Sequence, residues 1–344
     1  MISDRENNQA SANHQTIKNP EKNGALLQNN LVEIEPLKSP AQLLSSNQYL
    51  AAAISHNTQR AYQQDIQHFR YWGGLLPTNP QQIIAYLEHY AALLNPRTLQ
   101  RRLTAIKQWH FSQSMTDPTT HPLIAKTLKG ILRIHGQPLV KAPALTWEQL
   151  QIMVHYCEQQ NTLTDLRNST LLLLGFFGAF RRSELTAIQF EHLQFHEKGL
   201  EIVIPRSKTD TTGEGSLVAI PHTHQTICPV MQLKKWLKNS NIQCGFIFRR
   251  MHKNQRLSEA PLASQNVNFI MKTIAKVCRL PNAEKFSSHS LRRGFATAAS
   301  QKGAPFLTIM RHGRWKHQGT VMGYIEAAQS FENNPIDLIL NKSG

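Results

Sequence analysis

Acidic residues are scarce in this 344-residue sequence, and several familiar enzyme motifs are missing from it. It has 22 Asp and Glu against 38 Lys and Arg, which gives a formal net charge of +16. It has no Gly-x-x-x-x-Gly-Lys-Ser/Thr loop, no Gly-x-Ser-x-Gly elbow and no His/Cys cluster with the spacing of a closed metal site. The sequence therefore argues against a P-loop nucleotide hydrolase, an α/β-hydrolase and a zinc-binding module.

Cysteines and long apolar runs are also few. The four cysteines, at 157, 228, 244 and 278, are far apart and form no Cys-x-x-Cys pair, as is typical of free thiols in a reducing compartment. The longest apolar run, LLLLGFFGAF at 171–180, is too short to cross a bilayer, and the N-terminus has no apolar signal core. We therefore expect a cytoplasmic protein without a membrane anchor.

The positive charge lies in the parts of the chain that are expected to fold. Residues 1–40 contain slightly more acidic than basic residues, so the whole excess belongs to residues 41–344. A basic surface on a folded protein favours a polyanionic partner, most simply nucleic acid. A basic protein without such a partner is the alternative that charge alone leaves open.

Composition and periodicity divide the chain into four segments. Residues 1–42 are rich in Asn, Gln, Lys and Ser and are predicted to form a disordered tail. Apolar residues recur at helical spacing through residues 43–136, which predicts a compact bundle of four or more helices. Two prolines in residues 137–144 predict an extended linker, and residues 145–344 are predicted to form a second, mixed domain.

Local signals predict several element boundaries. Asn57 or Thr58 is predicted to cap the first helix, and Pro80 to lie near the start of the second. Thr146 is predicted to cap the first helix after the linker. Two β-rich runs between residues 200 and 220 surround a polar loop that contains glycine, which predicts a small hairpin among helices.

Basic residues cluster on the third and fourth helices of the predicted bundle. The two sets are Arg97, Arg101, Arg102 and Lys107 on the polar side of one helix, and Lys126, Lys129 and Arg133 on the next. A solvated basic face explains either set alone, whereas a helix laid along a DNA groove or backbone explains why both occur. The recurrence favours DNA contact modestly.

Arginines also stand at two predicted helix starts in the second domain. In GAFRRSELTAI (178–188), Arg181 and Glu184 are three residues apart and can meet on one face. In SSHSLRRGFAT (287–297), His289 and Arg292 have the same spacing. A helix start favours a bound anion, and the planar fork of arginine grips two phosphate oxygens. Taken singly, each arginine is more readily explained as a surface residue with an ion-pair partner.

These pieces occur in a characteristic order along the chain. Gly-x-x-Arg-x-Ser-Glu-Leu at 178–185 is followed by a hairpin lysine, by His-x-Leu-Arg at 289–292, by Trp315, and by Tyr324 nine residues later. This order and spacing resembles the tyrosine recombinase (phage integrase) family of site-specific recombinases. The bundle at 43–136 is similar to the core-binding domain of that family, so the resemblance covers nearly all of the chain outside the N-terminal tail.

The resemblance implies a fold and a set of roles. The fold would be mainly α with a small β-hairpin or sheet: an N-terminal helical core-binding (SAM-like) domain and a C-terminal mixed α+β catalytic domain. The implied catalytic residues are Arg181, Lys208, His289, Arg292, Trp315 and Tyr324, with Glu184 supporting Arg181. Arg182, Arg206 and Arg293 are added to the two basic sets above as predicted DNA-binding residues.

Two of these assignments have open alternatives. Arg206 competes with Lys208, because the loop at 207–215 is long. Trp315 stands where most members of the family have histidine, and a shifted alignment would give its role to His312 or His317.

The resemblance also implies a reaction and partners. The enzyme would cut and rejoin double-stranded DNA at specific core sites through a 3′-phosphotyrosyl link, without metal, ATP or another cofactor. It would act as a tetramer in the DNA synapse, associated with the nucleoid of a bacterium or encoded by a mobile element. Integration or excision of mobile DNA and resolution of DNA multimers are equally compatible with it. A type IB topoisomerase-like enzyme and a non-catalytic DNA-binding protein of the same fold are the rival interpretations.

The C-terminal residues suggest a contact between protomers. Residues 329–344 contain an apolar patch from Ile336 to Leu340 behind Pro335, which can start a helix. Packing on its own domain is the simple explanation. The resemblance favours an exchange tail that docks in a groove of a neighbouring protomer.

Overall fold

A computed structural model describes residues 53–138, 140–205, 213–223 and 227–325 of the chain. The predicted N-terminal tail, Arg206, Lys208 and the predicted exchange tail lie outside the described residues. The chain divides into two compact units, with the boundary between Leu139 and Val140.

The first unit is a helical bundle with a single apolar core. Its helices are α1 (His56–Tyr71), α2 (Pro80–Tyr90), α3 (Pro96–Ser112) and α4 (Pro122–His135), with a short 3₁₀ turn at Pro118–Thr120. Each helix contributes fully buried side chains at helical spacing, such as Phe69, Tyr86, Leu99, Ile106 and Ile124. The predicted bundle is confirmed in this respect.

The helix starts follow the capping chemistry of the sequence, with one correction. Asn79 and Asn95 accept backbone N–H bonds at the starts of α2 and α3, directly before a proline at the first helical position. The prediction that Asn57 or Thr58 caps α1 is wrong. The Ser55 hydroxyl accepts from the Thr58 N–H at 3.4 Å, because Ser55 is the residue that still has extended backbone.

The second unit combines helices with two small antiparallel sheets. Its helices are α5 (Trp147–Gln160), α6 (Leu163–Phe177), α7 (Arg182–Thr186), α8 (Pro229–Ser240), α9 (Ser264–Val277), α10 (Ser288–Gln301), α11 (Phe306–Gly313) and α12 (Gln318–Ile325). Its strands are β1 (Leu193–His196), β2 (Gly199–Ile204), β3 (Ser216–Pro221), β4 (Arg249–Met251) and β5 (Leu257–Pro261). Short 3₁₀ turns occur at Phe190–His192 and Ala283–Lys285. Thr146 caps α5 and forms a capping box with Gln149, as predicted.

The sheets are larger than the sequence indicated. The predicted hairpin is present as β2 and β3, which pair with Ile202 opposite Val218. A third strand, β1, pairs with β2 on its other side, and β4 with β5 forms a separate two-stranded sheet. Strand β1 was not predicted because it has only four residues, and apolar alternation over so short a run is a weak signal.

The core of the second unit surrounds α6, the most buried of its helices. Residues Leu171–Leu174 are all at most 1% exposed. Helices α5, α8 and α10 pack against α6, and α10 therefore lies beside the end of α6 at Gly178. The predicted class, mainly α with small antiparallel sheets, is confirmed. No helix within the described ranges is long and apolar enough to cross a bilayer.

Candidate active site

The joint between α6 and α7 holds Arg181 against a buried carboxylate. The Arg181 Nη1 donates to Glu184 Oε1 at 2.6 Å, and its backbone N–H donates to Glu184 Oε2 at 3.0 Å. Glu184 is only 4% exposed. Burial acts to raise the pKa of this carboxyl, but the nearby guanidiniums of Arg314 and Arg181 outweigh burial and hold the pKa below its usual value. The predicted Arg181–Glu184 contact is therefore present as an ion pair.

A second arginine, Arg314, joins this pair and was not predicted. Its Nη2 donates to Glu184 Oε2 at 3.0 Å, and its Nη1 donates to the Gly178 carbonyl at 3.2 Å. Its guanidinium also lies over the Phe180 ring, 5.0 Å from the centroid. Sequence reasoning missed Arg314 because its only local signal is a position next to Trp315. It reaches the joint through the turn that ends α11.

Arg292 approaches the same joint from the start of α10. It is 3% exposed, and its Nη1 donates to the carbonyl of Ala179. Its Nη2 is buried with no hydrogen-bond partner in the described part of the chain. Burial, followed by the charges of Arg181 and Arg314, lowers the pKa of Arg292, although a guanidinium stays charged at neutral pH. This site therefore holds a desolvated cation with an unused donor.

Trp315 and Tyr324 lie next to Arg292. The Arg292 guanidinium lies over the Trp315 ring, 4.1 Å from its centroid. The rings of Trp315 and Tyr324 meet edge to face with centroids 6.2 Å apart. Gly313 makes room for this packing, because a Cβ at that position would overlap the Trp315 ring. The tyrosine, the indole and the buried arginine, distant in sequence, thus form one cluster.

His289 borders the cluster on the first turn of α10. Partial desolvation of its ring, followed by the charges of Arg292, Arg182 and Arg181, lowers the pKa of His289 from its usual 6.5. The residue still has an exposed surface. At neutral pH the ring is uncharged and can accept a proton.

The alternatives to Trp315 occupy different surroundings. His312 donates through Nε2 to the Phe177 carbonyl at 2.6 Å and stacks on Phe295 at 4.6 Å between ring centroids. His317 is exposed. Trp315 contacts both Arg292 and Tyr324, so the unshifted alignment agrees better with these contacts.

Arg293, a predicted DNA-binding residue, has contacts within the second unit. Its guanidinium lies over the Tyr324 ring, 5.5 Å from the centroid, and its Nη1 donates to the Ala142 carbonyl at 2.8 Å. The reason is that α12 packs along α10 and brings Tyr324 to this side of it.

The predicted DNA-binding residues of the first unit differ in their exposure and in their ion pairs. Arg97, Lys126, Lys129 and Arg133 are exposed. Arg101 and Lys107 pair with Asp65 and Asp117 at 2.7 and 3.6 Å, respectively.

Arg102 departs from the prediction that it lies on the polar side of α3. It is buried and donates to the Tyr86 hydroxyl at 2.8 Å, because the bundle closes over its side of the helix. Arg182 in the second unit is exposed.

A family comparison identifies the second unit. Residues 143–330 match the model of the phage integrase family. The chain belongs to this family. It is a tyrosine recombinase of the integrase type, an enzyme of site-specific recombination. An integrase/recombinase xerD homolog of Selenomonas ruminantium is 35% identical over 308 residues, which cover 87% of this chain and 90% of that protein.

Solved structures of recombinases share the fold of this integrase. The XerH site-specific recombinase bound to its palindromic difH substrate has a TM-score of 0.60 at 18% identity, over 88% of this chain and 84% of that one. A lambda integrase dimer bound to a COC′ core site has a TM-score of 0.58 at 15% identity, over 88% and 85% of the two chains. At these identities the likeness concerns the fold alone.

Five of the predicted site residues therefore surround one corner of the second unit: Arg181, His289, Arg292, Trp315 and Tyr324. Lys208 cannot be located, since it lies outside the described residues. Within those residues no group of three or more His, Cys, Asp or Glu side chains could hold a metal ion.

Proposed function

We propose that this integrase cuts DNA with Tyr324 as the nucleophile and with Arg181, Arg292 and Trp315 stabilising the transition state. The Tyr324 hydroxyl oxygen forms a bond to the phosphorus of a phosphodiester, and the bond to the 5′-oxygen breaks. A 3′-phosphotyrosyl link and a free 5′-hydroxyl result. The 5′-hydroxyl of a partner strand then attacks the link, so the energy of the broken bond is retained. The buried, half-unsatisfied guanidinium of Arg292 beside Tyr324 is the observation that supports this most strongly.

The charges of the site suit a phosphoryl-transfer transition state. Negative charge develops on the non-bridging phosphate oxygens, and fixed cations in a desolvated site stabilise it strongly. Among the described residues, the carboxylate of Glu184 pairs with the guanidiniums of Arg181 and Arg314, and the nearby guanidinium of Arg292 has no carboxylate within ion-pair distance. The site thus has an excess of positive charge that a bound phosphate neutralises. The Trp315 indole N–H adds a neutral donor.

Two proton transfers complete the proposed reaction. A phenol has an ordinary pKa of about 10, so Tyr324 needs a base when it attacks. His289, whose pKa is lowered, is uncharged at neutral pH and takes this proton. Lys208 donates a proton to the leaving 5′-oxygen in this scheme.

Double-stranded DNA is the proposed substrate, and the two units play different parts. The exposed basic residues Arg97, Lys126, Lys129 and Arg133 bind the backbone, which would make residues 43–136 the core-binding domain. Fold relatives bound to difH and COC′ DNA support this. We further propose a tetramer in the synapse, with residues 329–344 as the exchange tail. Deletion of residues 333–344 is then expected to leave DNA binding unchanged but to weaken synapsis.

A covalent-trapping experiment tests the proposal. DNA fragments selected by the protein from a random pool are rebuilt as nicked suicide duplexes, from which the cleaved end diffuses away. The wild-type protein is expected to form an adduct that survives denaturing electrophoresis, with EDTA present and without ATP. Tyr324→Phe removes only the hydroxyl and is expected to form none. Lys208→Ala is expected to slow adduct formation by about 10²–10³-fold, and the rate is restored by a 5′-phosphorothiolate leaving group that needs no proton.

Three results would contradict the proposal. Equal adduct yields, or an equal absence of adduct, from wild-type protein and Tyr324→Phe would remove the nucleophile. An adduct with relaxation of supercoiled DNA but no exchange between two sites would support the topoisomerase-like alternative. A wild-type rate for Lys208→Ala together with a slow rate for Arg206→Ala would assign the role of leaving-group acid to Arg206.

A further inference from the structure

We propose that Arg293 is a positioning residue for Tyr324, held in place by the chain segment that enters the second unit. This inference rests on the proposed function of Tyr324 as the nucleophile. Nothing in the spacing of SSHSLRRGFAT suggests it, because Arg293 follows the anion-facing Arg292 on a different side of α10. The contacts of its guanidinium, and those of the segment at residues 140–145, carry the argument.

Arg293 holds one face of the Tyr324 ring. Its guanidinium carbon lies 5.5 Å from the ring centroid, within the range of a cation–π contact. Trp315 meets the same ring edge to face, and the Thr297 hydroxyl donates to the Tyr324 backbone carbonyl at 3.3 Å. The phenol is therefore restrained by an arginine, an indole and a backbone contact.

Arg293 is itself anchored at its other end. Its Nη1 donates to the carbonyl of Ala142 at 2.8 Å, across 151 positions of sequence. Its Nε is buried and has no partner among the described residues, so the Ala142 carbonyl is the hydrogen-bond contact that fixes the guanidinium plane. A shift of residue 142 would therefore move or release the cation that covers Tyr324.

The segment at 140–145 is fitted closely to the two helices that carry the site. The Leu145 N–H donates to the Ser290 carbonyl at 3.0 Å, one residue after His289. Gly294 permits this approach, since a Cβ there would overlap the Leu145 carbonyl. On the other side, a Cβ at Gly323 would lie 3.0 Å from Lys141 Nζ, so this side chain lies beside the residue before Tyr324. The segment thus touches both α10 and α12.

The segment that anchors Arg293 also lies at the start of the second unit. Residues 140–145 are the first of the second unit, directly after the boundary with the first. Tension or displacement along this segment is transmitted through Ala142 and Arg293 to the orientation of the tyrosine. Misplacement of a reacting group by about 1 Å can cost on the order of 10² in rate, so this restraint is strong enough to matter.

The test compares Arg293→Met and Arg293→Lys with Arg256→Met in single-turnover cleavage of the nicked suicide duplex. Methionine keeps the apolar stem of Arg293 but removes the charge and the donors. Lysine keeps the charge, but as a single point that cannot both cover the ring and hold Ala142 as arginine does. Arg256 is an exposed arginine in the β4–β5 turn of the same unit and serves as the matched control. Rates are measured over a range of DNA concentrations, with Tm recorded for each protein.

At saturating DNA, Arg293→Met is expected to cleave about 10–100-fold more slowly than wild type, with the half-saturating DNA concentration unchanged. Arg293→Lys is expected to retain part of the rate that Arg293→Met loses. Arg256→Met is expected to cleave at the wild-type rate. A wild-type rate for Arg293→Met would overturn the inference. A change in the half-saturating DNA concentration with an unchanged rate at saturating DNA would overturn it too. If the methionine variant does not fold, a wild-type rate for Arg293→Lys overturns it. Absence of any Tyr324-dependent adduct from wild-type protein would instead overturn the proposed function beneath it.

Discussion

Each unit contains a pair of adjacent arginines on a helix, and in each pair one arginine is buried. In the first unit, Arg102 lies 3.6 Å from Asp65, and Asp65 also binds Arg101 at 2.7 Å. In the second unit, Arg292 has no carboxylate of the described residues within ion-pair distance, and its nearest charged neighbours include Arg181 and Arg314. A buried charge is costly unless it is compensated. The compensated arginine therefore belongs to the fold, and the uncompensated one is the arginine that we propose binds the phosphate.

The same contrast explains how the two carboxylates are used. Asp65 is 3% exposed and serves two arginines of the bundle. Glu184 is 4% exposed and also serves two, Arg181 and Arg314, but a third arginine stands beside them without an acid of its own. In the proposed reaction, a phosphate at the second site supplies the missing charge. The two carboxylates are almost equally buried but differ in their surroundings. Asp65 pairs with both arginines beside it, whereas Glu184 leaves a third arginine without an acid.

The largest expected effect comes from removing the uncompensated charge. Arg292→Gln is expected to reduce single-turnover cleavage by about 10³-fold or more, since an arginine that stabilises a phosphoryl-transfer transition state is worth that much. Its Tm is expected to stay the same or rise, because the repulsion from Arg181 and Arg314 is relieved. Arg102→Gln is the matched control and is expected to lower Tm while the folded protein still cleaves. If Arg292→Gln is the less stable of the two and still cleaves normally, the contrast fails.

Two of the buried tryptophans, Trp315 and Trp109, extend the comparison to neutral donors. Trp315→Phe keeps the ring contacts with Arg292 and Tyr324 but loses the indole N–H, and a loss of about 10² in cleavage rate is expected. Trp315→His, which restores an N–H, is expected to recover part of the rate.

Trp109 in the first unit has a buried indole N–H without a partner among the described residues. Trp109→Phe is therefore expected to cleave at the wild-type rate. Equal rates for both phenylalanine variants would show that the Trp315 N–H plays no part in the reaction.

The compensating acid of the first unit offers the converse test. Asp65→Asn leaves Arg102 buried without its counter-charge, and breaking a buried ion pair in this way typically costs about 3–5 kcal/mol of folding free energy. Urea unfolding followed by circular dichroism measures the loss. Cleavage per folded molecule is expected to be unchanged. A stability within experimental error of wild type would mean that Asp65 does not compensate the pair.

The smallest expected effect is a shift in pH dependence. In the proposed reaction His289 acts in its neutral form, so the cleavage rate is expected to fall as the pH drops through the pKa of His289. That pKa lies below 6.5 in the folded protein, so the rate at pH 6.5 is expected to stay above half of its neutral-pH value. His289→Gln is expected to abolish this acid limb. His68 also has a lowered pKa, caused first by burial and then by Arg102, yet His68→Gln is expected to keep the limb. An acid limb centred above pH 6.5 would contradict the assignment.

Much of the site was predictable from local sequence because its key residues sit at helix starts. Arg181 and Glu184 meet at a spacing of three residues, and the caps at Asn79, Asn95 and Thr146 follow from short-range hydrogen bonds. Strand β1 was not predicted, since its alternation of apolar and polar residues extends over only four positions. Arg102 was misjudged because a helical pattern alone does not say how far the bundle closes around α3.

The order of residues along the chain specifies which chemical groups are available: the arginines, the histidine, the indole and the phenol, each at a recognisable local spacing. Which of these groups touch depends on the tertiary packing. Arg292 meets Ala179 across 113 positions, Arg314 meets Glu184 across 130, and Arg293 meets Ala142 across 151. Contacts at such separations depend on how α10, α11 and α12 pack around the end of α6. Whether a buried arginine is neutralised or left for a ligand is decided by the same packing, because charge compensation is a property of neighbours in space.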